Sequence, residues 1–528
     1  MAYRELTEPI EALEQEILTT WDREGTFERS LARREGAPEF VFYEGPPTAN
    51  GRPGVHHVLA RTIKDTVARY RAMTGRHVTR IAGWDTHGLP VEIEAEKRLG
   101  ISGKPQIEKI GVEAFNQVCR ENVFTYKEDW ERVSRRIGYW LDYEDPYVTF
   151  LPEYIESVWW ALSEIDRKGL LYRGFKVLPY CPRCGTGLSS HEVAQGYADR
   201  SDPSVTVRFP VEGENDRSLL VWTTTPWTLV SNVAVAFGPG IPYVEVEREG
   251  HRYVLSRGRV EALFGEDARI VRDVPAEELA GLTYRRPFDL DPSYPESTGR
   301  VWPAAFVSDE DGTGLVHSAP AFGADDFEMG REHDLPVIRP VDDAGRFDPA
   351  VREVGGVAVK DADADLVRML EEKSLLFASG TLRHSYPHCW RCDSPLLYMA
   401  RDSWYIRTTA AVRDRLIEHS ASTDWHPPEI GSGRMGEWLA NNVDWAISRD
   451  RYWGTPLPIW ICDEEPSHRE GPGSFARLGE LHGPLPDGFD PHRPGIDQLE
   501  WACTHEGCTG RMRRVPEVLD TWFDSGSM

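Results

Sequence analysis

The sequence predicts an α/β fold interrupted by an inserted, β-rich domain, and three observations predict it. The first is the stretch Glu44 to Asp65, which follows the short apolar run Phe40-Val41-Phe42-Tyr43. The second is a later strand and loop, Val78-Thr-Arg-Ile81 running into Gly83-Trp-Asp-Thr-His-Gly-Leu-Pro-Val-Glu92. The third is a pair of Cys-x-x-Cys turns, Cys181–Cys184 and Cys389–Cys392, far apart in sequence and separated by short β-rich runs.

At 528 residues the chain is too long for one core, and about three or four domains is the expectation for that length. A hydrophobic content of 40% and a charged content of 28% are ordinary for a globular protein. Lys and Arg number 60 against 86 Asp and Glu, a net charge of −26. That excludes a generally basic nucleic-acid binder, whose affinity comes from neutralising phosphates, but leaves room for a local basic path. The first twenty residues carry Glu5, Glu8, Glu11, Glu14 and Glu16 rather than a basic start and an apolar core. No apolar run approaches the length of a membrane span, so a cytoplasmic protein without a membrane partner is expected. Eight cysteines in so long a chain do not read as a secreted disulfide framework; metal binding is the better reading.

Taken in order, residues 1–39 read as an acidic helix with Ile10, Leu13, Ile17 and Trp21 on one face, then a polar turn. Phe40–Tyr43 reads as a buried strand. Turn formers follow (Gly45, Pro46, Pro47, Asn50, Gly51, Pro53), and then Val55, Leu59, Ile63, Val67 and Tyr70 recur at helical spacing. The helix should open near Gly54 and end by Thr74-Gly75. A strand, a glycine-containing loop and a helix N-terminus make a ready anion site, and His56 and His57 stand at it. Asp85 closes the second strand, where ligands of open α/β sheets bind; a lone Asp there reads better as the cap of the segment starting at Leu89. Residues 104–172 read as helices, with Trp130, Val133, Ile137 and Trp140 on one face and Ile155, Val158, Trp159, Leu162 and Ile165 on another. These are assigned to packing.

Two Cys-x-x-Cys knuckles suit tetrahedral zinc with four thiolates, Cys181, Cys184, Cys389 and Cys392; separate redox or free thiol pairs are the alternative. If the knuckles meet, residues 185–388 form an insertion tied off at its neck. Its runs Val205–Phe209, Leu219–Trp222, Tyr243–Val246 and Tyr253–Leu255, parted by turn residues, predict a small β-barrel. Within it lie Trp222-Thr-Thr-Thr-Pro-Trp-Thr-Leu-Val-Ser-Asn232 and Gly312-Thr-Gly-Leu-Val-His-Ser-Ala-Pro-Ala-Phe-Gly-Ala-Asp-Asp326. A threonine run is at home in a strand, and a lone His in a core, so neither segment is a site by itself. Cys462, Cys503 and Cys508, with His505 or His468, form an irregular second metal candidate.

Gly-Pro-Pro-Thr-Ala-Asn-Gly with a His-rich helix start, followed by Gly-Trp-Asp-Thr-His-Gly-Leu-Pro-Val-Glu, resembles class I aminoacyl-tRNA synthetases, specifically the isoleucyl family. The resemblance extends over nearly the whole chain, including Trp445–Pro458 (with Asp450 where the family more often has Gln) and Val518–Gly526. It implies a Rossmann-type catalytic domain interrupted by a β-barrel editing domain with a zinc-knuckle hinge. The implied parts are 1–184, the first catalytic segment; 185–388, the insertion; and 389–528, the catalytic continuation. It further implies ATP binding at Gly45, Gly54, His56 and His57, with His56 and His57 catalytic and Mg2+ accompanying ATP. Pro46, Asp85 and Trp522 match positions that hold isoleucine, Asp85 taking the amino group. Thr224, Thr225, Thr228, Asn232, His317 and Asp326 match the editing pocket that removes misattached valine. The implied partners are isoleucine, ATP and the isoleucine tRNA, with the protein a monomer.

The chain departs from the family where His-x-Gly-His is expected: it has Gly54-Val55-His56-His57. His57 keeps the last position, while the first His and the Gly have exchanged places. A side chain at 56 should crowd the adenine contact unless Gly54 makes room, so a remodelled ATP site is expected. The family's Lys-Met-Ser-Lys-Ser loop and anticodon-binding domain are not in the sequence, which reads as an N-terminal half. A valyl enzyme is disfavoured by Thr86-His87-Gly88-Leu89-Pro90. An editing hydrolase without synthesis and a zinc-dependent RNA-binding module are the other readings.

Overall fold

The computed structural model describes residues 9–45, 47–290, 299–410 and 412–528. The chain forms two compact units, Met1–Leu171 with Ile447–Met528, and Tyr172–Ala446.

In the first unit the acidic segment is two helices, α1 (Ile10–Glu24) and α2 (Thr26–Ala32), broken at Gly25, whose φ of 56° only glycine adopts cheaply. Trp21 meets Trp140 edge-on at 5.1 Å, whereas Ile10 stays exposed. One sheet of this unit is parallel, in the order β1 (Phe42–Tyr43), β2 (Arg80–Trp84), β3 (Asp142–Val148), and the sheets of the 447–528 segment are antiparallel. β1 is shorter and less buried than its apolar run predicts, with Val41 and Tyr43 exposed. β3 corrects the all-helical reading of 104–172; the helices there are α5 (Lys104–Ile110), α6 (Val112–Asn122), α7 (Lys127–Arg136) and α8 (Pro152–Arg167). Gly83 is needed where it stands, because any Cβ there would overlap the Tyr147 ring.

The long helix α3 (Val55–Met73) begins and ends as its spacing predicts. Its orientation is a surprise. Val55, Leu59, Ile63, Val67 and Tyr70 are exposed, and the buried residues are Arg61 and Ala68. The inward face is polar because Arg61 meets the buried Glu44 at 3.5 Å and donates to Ser134, with its guanidinium over Trp130 and Tyr139. Helix α4 (Leu89–Leu99) is capped by Gly88, not Asp85. Glu92, fully buried on α4, accepts from the Tyr452 and Trp453 amides at 2.9 and 2.7 Å and pairs with Arg451. That pairing ties the 447–528 segment to the first sheet's helices.

The second unit is wider than the 185–388 insertion because both flanks of the insertion belong to its sheets. β4 (Leu171–Cys181), β5 (Thr186–Gly187), β15 (Leu397–Ile406) and β16 (Trp445–Ala446) form a four-stranded sheet, order β16-β15-β4-β5. A nine-stranded mixed sheet is built on β6 (Tyr197–Pro210), β7 (Arg217–Thr223), β8 (Ala234–Phe237), β9 (Tyr243–Arg248), β10 (His251–Ser256), β11 (Arg269–Val274), β12 (Arg300–Pro303), β13 (Leu315–Ser318) and β14 (Leu376–Pro387). The four predicted runs all fall inside these strands. β7 is its branch point: one edge takes β6, and the other takes β10 at Arg217–Leu219 and β13 at Trp222. Valines and aromatics including Val207, Phe209, Val221, Val235 and Tyr284 make one core, and Leu220, Val244, Val246, Tyr253 and Leu255 make another. Among the described residues no helix is long and apolar enough to cross a membrane.

Candidate functional site

At the start of α3 the N-cap is Gly54, and its amide donates to His57 Nδ1 at 2.9 Å. The His56 and His57 rings are 3.8 Å apart, and His57 rests on Trp130 at 4.6 Å. Burial, then His56 and Arg61, hold His57 below the ordinary histidine range. His57 is therefore a neutral ring with Nδ1 accepting, which leaves Nε2–H as its donor. A Cβ on Gly54 would lie 2.9 Å from His56 Cε1, so the His56 ring packs in space that a side chain at 54 would contest. Gly45 is exposed, and Lys64 Nζ lies 3.8 Å from where its Cβ would be. Lys64 in turn pairs with Glu44 at 3.3 Å. The loop thus ends on a helix N-terminus with a donor imidazole and two cations, Lys64 and Arg61, behind it, a setting that suits polyanions.

Asp85 is half-buried, and its amide donates to the Pro47 carbonyl at 3.1 Å, so the loops after β1 and β2 are laced together. Pro46 lies outside the described residues. Trp522 is exposed on the short helix Thr521–Gly526, which Asp520 caps by accepting from the Trp522 amide at 3.1 Å. Two tyrosines missed in the sequence link these parts. Tyr147 and Tyr154 are stacked at 5.9 Å; Tyr147 donates to the Glu44 carbonyl and Tyr154 to the Asp524 carbonyl. Both hydroxyls are pushed well up, first by burial, then by Glu44 for Tyr147 and Asp524 for Tyr154, with Asp85 adding to each. Asp85 and the Trp522 helix therefore share the same pair of phenols, in a half-buried, partly aromatic setting of the kind that suits a small amphipathic ligand.

In the second unit the threonine run leaves β7 at Thr223 and turns into a 3-10 helix, Pro226–Ser231. Thr225 and Thr228 hydroxyls are 3.1 Å apart, Thr228 Oγ1 is 2.8 Å from His317 Nε2, and Asn232 Nδ2 is 3.3 Å from His317 Nδ1. Asn232 Oδ1 accepts from the Tyr284 hydroxyl at 2.7 Å, so its amide nitrogen is the atom facing His317. His317 then accepts at Nδ1 and donates from Nε2 to Thr228. Burial, which pushes His317 down to about 4, agrees with that neutral ring. Asp326 stands on the helix Ala324–Glu332 and accepts from the Ala319 amide at 3.0 Å, close in the chain to His317. Burial raises Asp326 to about 6, opposed by the Ala319 hydrogen bond and aided by Asp325. Thr224 is half-buried beside them. Hydroxyls and a neutral imidazole are thus joined by hydrogen bonds, and a reluctant carboxylate is held by the Ala319 amide just past the strand that carries the imidazole. Tyr284, one of several apolar residues scattered over 279–290, left no signal in the sequence.

Cys181, Cys184, Cys389 and Cys392 converge, with all four sulfurs within 4.8 Å of one another. The Cys181–Cys392 and Cys184–Cys392 sulfurs are 3.5 Å apart, far beyond a disulfide and close to the ~3.8 Å edge of a tetrahedron with Zn–S bonds of about 2.3 Å. The knuckles meet, and the donor set fits zinc. The second cluster is Cys462, His468, Cys503 and Cys508, again within 4.8 Å. His468 Nδ1 stands 3.5 Å from the Cys503 sulfur, while His505 lies flat against His468 at 3.9 Å with its own Nδ1 3.7 Å from that sulfur. His468 is the better fourth donor.

A family model described as tRNA synthetases class I (I, L, M and V) matches residues 16–528. Isoleucine–tRNA ligase of Streptomyces coelicolor is 51% identical over 100% of this chain and 50% of its own length. The Thermus thermophilus isoleucine–tRNA ligase is 49% identical with the same coverage, and that of Bacillus thuringiensis is 50% identical over 98% of this chain and 49% of its own. The chain spans about half the length of the curated relatives it matches.

Proposed function

Because the chain belongs to the class I tRNA synthetases of the isoleucine, leucine, methionine and valine group, we propose that it serves ATP-dependent attachment of isoleucine to its tRNA, with hydrolytic removal of misattached valine. The observation that carries the amino-acid assignment is identity of about half to isoleucine ligases along the entire chain.

In the first step an isoleucine carboxylate oxygen attacks the α-phosphorus of ATP, and pyrophosphate leaves with its electron pair. No protein nucleophile is required; the residues position the reactants and stabilise charge. The neutral His57 offers Nε2–H to ATP, His56 takes the remodelled place beside Gly54, and Gly45 keeps the preceding loop slim. Magnesium, when bound with ATP, neutralises phosphate charge. Asp85 pairs with the substrate ammonium in a partly desolvated setting, and Trp522 walls the aliphatic side chain. The tRNA ribose hydroxyl then takes the acyl group and AMP leaves. Zinc at the two cysteine clusters would cross-link the chain and take no part in these steps.

A second site is needed because one methylene, for which these synthetases are themselves the standard illustration, is worth only about 1–3 kcal/mol of discrimination. In the threonine-lined site a water attacks the ester carbonyl of valyl-tRNA and frees valine. Asp326 holds the valine ammonium, Thr224, Thr225 and Thr228 position the terminal adenosine and the water, and Asn232 with His317 fills the space an isoleucine side chain would need.

The test is amino-acid-dependent ATP–pyrophosphate exchange, run beside deacylation of valyl-tRNA. Exchange driven best by isoleucine, with valyl-tRNA hydrolysed, supports the proposal; best exchange with valine overturns it. Deacylation without exchange, from folded protein continuing through the relatives' full length, would leave an editing hydrolase in which the rearranged Gly54–His57 segment has ended synthesis.

A further inference from the structure

Behind the Asp85 segment lies a chain of ionisable groups, buried except for Asp490 at its outer end, that the proposed chemistry does not use. Asp524 Oδ2 stands 2.6 Å from His87 Nδ1, His87 Nε2 is 2.9 Å from His492 Nε2, and His492 Nδ1 is 2.5 Å from Asp490 Oδ1. At the two ends, Thr455 donates to the other oxygen of Asp524 at 2.8 Å and Arg120 to the other oxygen of Asp490 at 2.6 Å. His87 and Asp524 are 1% exposed and His492 is 4% exposed, with the His492 ring flat on Trp453 at 4.6 Å. The charges facing the two rings are Asp524 from the Thr521–Gly526 helix, Asp490 from the loop before His492, and Arg120 from α6.

Each of the three gaps joins two atoms that repel as bare lone pairs and bond when one carries a hydrogen. Three protons are therefore required, and two neutral imidazoles supply two. The third sits either on Asp524, as a carboxylic acid, or on a ring, as an imidazolium; the Thr455 hydroxyl donating to the other oxygen of Asp524 favours its carboxylate and so the imidazolium. Burial pushes His492 down to about 4; the Asp490 hydrogen bond opposes this, while His87 and Arg120 add to it. His492 is the neutral ring, with Nδ1–H on Asp490 and Nε2 accepting. A further proton would set two N–H groups face to face between the rings, and one fewer would set two lone pairs there.

We infer that His87 is a buried imidazolium, donating to Asp524 and to neutral His492, and that it is a positioning group clamping the Trp522 helix to the Asp85 segment. The charges close: two carboxylates, one imidazolium and one guanidinium, so the burial leaves no uncompensated ion. His87 lies two residues past Asp85, and Asp524 two residues past Trp522. One hydrogen bond between them sets the spacing of the proposed ammonium ligand and the apolar wall. The positioning role rests on reading Asp85 and Trp522 as the isoleucine site; the protonation state does not.

Nitrogen NMR of the 528-residue protein with 15N-labelled histidine reads the ring states directly, with signals assigned by their loss in His87→Gln and His492→Gln. One ring protonated at both nitrogens (His87) and one at Nδ1 alone (His492) is the expected result. Two neutral rings would overturn the protonation assignment and leave the pocket reading intact. For the positioning role, isoleucine and ATP binding are measured by equilibrium dialysis. His492→Leu strands the His87 Nε2–H and should weaken isoleucine binding roughly tenfold or more while ATP binding holds, as loss of a charged hydrogen bond implies. His492→Gln should restore it, since the amide oxygen accepts from His87 and the amide nitrogen donates to Asp490. Equal loss in the Leu and Gln variants, or equal loss of ATP binding, overturns the role. Unchanged isoleucine affinity in Asp85→Ala would overturn the pocket reading and with it the positioning role, whatever the ring states are.

Discussion

Gly54 and His57 close the first turn of α3 on each other, the Gly54 amide donating to His57 Nδ1 at 2.9 Å. This is the reach-back half of a capping box, with an imidazole in the place of the usual carboxylate. The cap needs a neutral ring, and His57 lies below its ordinary value of 6.5 because of burial first and the neighbouring His56 and Arg61 next. A histidine with a lowered folded pKa contributes stability above the unfolded value and loses it as pH falls below that value. His57→Ala should cost about 0.5–1.5 kcal/mol at pH 8, measured by urea unfolding, and less below pH 6. It should also lower pyrophosphate exchange about a hundredfold or more, as removal of a phosphate donor does. A pH-independent stability loss would show that Nδ1 is not the cap.

The exchange of Gly and His at 54 and 56 makes a separate prediction. A Cβ at 54 would meet His56 Cε1 at 2.9 Å and Nδ1 at 3.0 Å. His56 is the exposed end of a flexible side chain, so Gly54→Ala should displace the ring and change stability by less than about 0.5 kcal/mol. Its effect should fall on the KM for ATP. The double variant Gly54→His/His56→Gly should alter inhibition by adenylate mimics, and equal inhibition of it and the parent would refute a remodelled nucleotide site.

How far the sequence carries is clear from particular residues. Glycine and proline punctuation followed by helical spacing located α3 within a residue, yet periodicity states which residues share a face and not which face turns inward. Arg61, paired with Glu44, won the inward position over the Val55-Leu59-Ile63 stripe. β3 was hidden because Asp142-Tyr-Glu-Asp-Pro-Tyr-Val148 carries three acids and a proline where a parallel strand is usually apolar. The cysteine knuckles were legible from spacing alone. The choice of His468 was not, since it depends on the hairpin of Trp460–Cys462 with Arg469–Glu470 folding His468 back. Tyr284 and the His87–His492 contact join residues distant in sequence, which no local pattern records.

The two cysteine clusters predict two zinc ions per chain by inductively coupled plasma mass spectrometry. Cys389→Ser should remove one, because the four sulfurs act as a single tetrahedral set. His468→Ala should remove the other, whereas His505→Ala should retain both. Retention in His468→Ala with loss in His505→Ala would reverse the assignment of the fourth ligand. Chelation at neutral pH should lower the thermal midpoint, since metal binding free energy is folding free energy.

Tyr284 should matter to deacylation although it is buried and touches no proposed substrate atom. Its hydroxyl fixes the Asn232 amide, which fixes the tautomer of His317 and so the donor on Thr228. Tyr284→Phe removes one neutral hydrogen bond, worth about 0.5–1.5 kcal/mol, and should slow valyl-tRNA hydrolysis by about three- to tenfold. Pyrophosphate exchange should be unchanged. Equal slowing of both activities would mean a general loss of folding rather than a misdirected amide.

Asp326 joins function to stability with opposite signs. Burial raises its carboxyl to about 6. An acid whose folded pKa is raised is penalised when ionised, so the cost is full above that value and is relieved as pH falls from about 6 towards the ordinary 3.8. Asp326→Asn removes the charge and should raise stability at pH 8 by on the order of 1–3 kcal/mol, while costing nothing near pH 4. The proposed ammonium contact needs the ionised form. Valyl-tRNA hydrolysis in the parent protein should therefore fall tenfold per pH unit below about 6, and be abolished in Asp326→Asn at every pH. A variant that is more stable at pH 8 and inactive in editing establishes that the carboxylate is held against its own burial energy for the sake of the site. A variant less stable at pH 8 would mean that the Ala319 hydrogen bond outweighs the burial cost, and the pH profile of hydrolysis would then have to arise from another group.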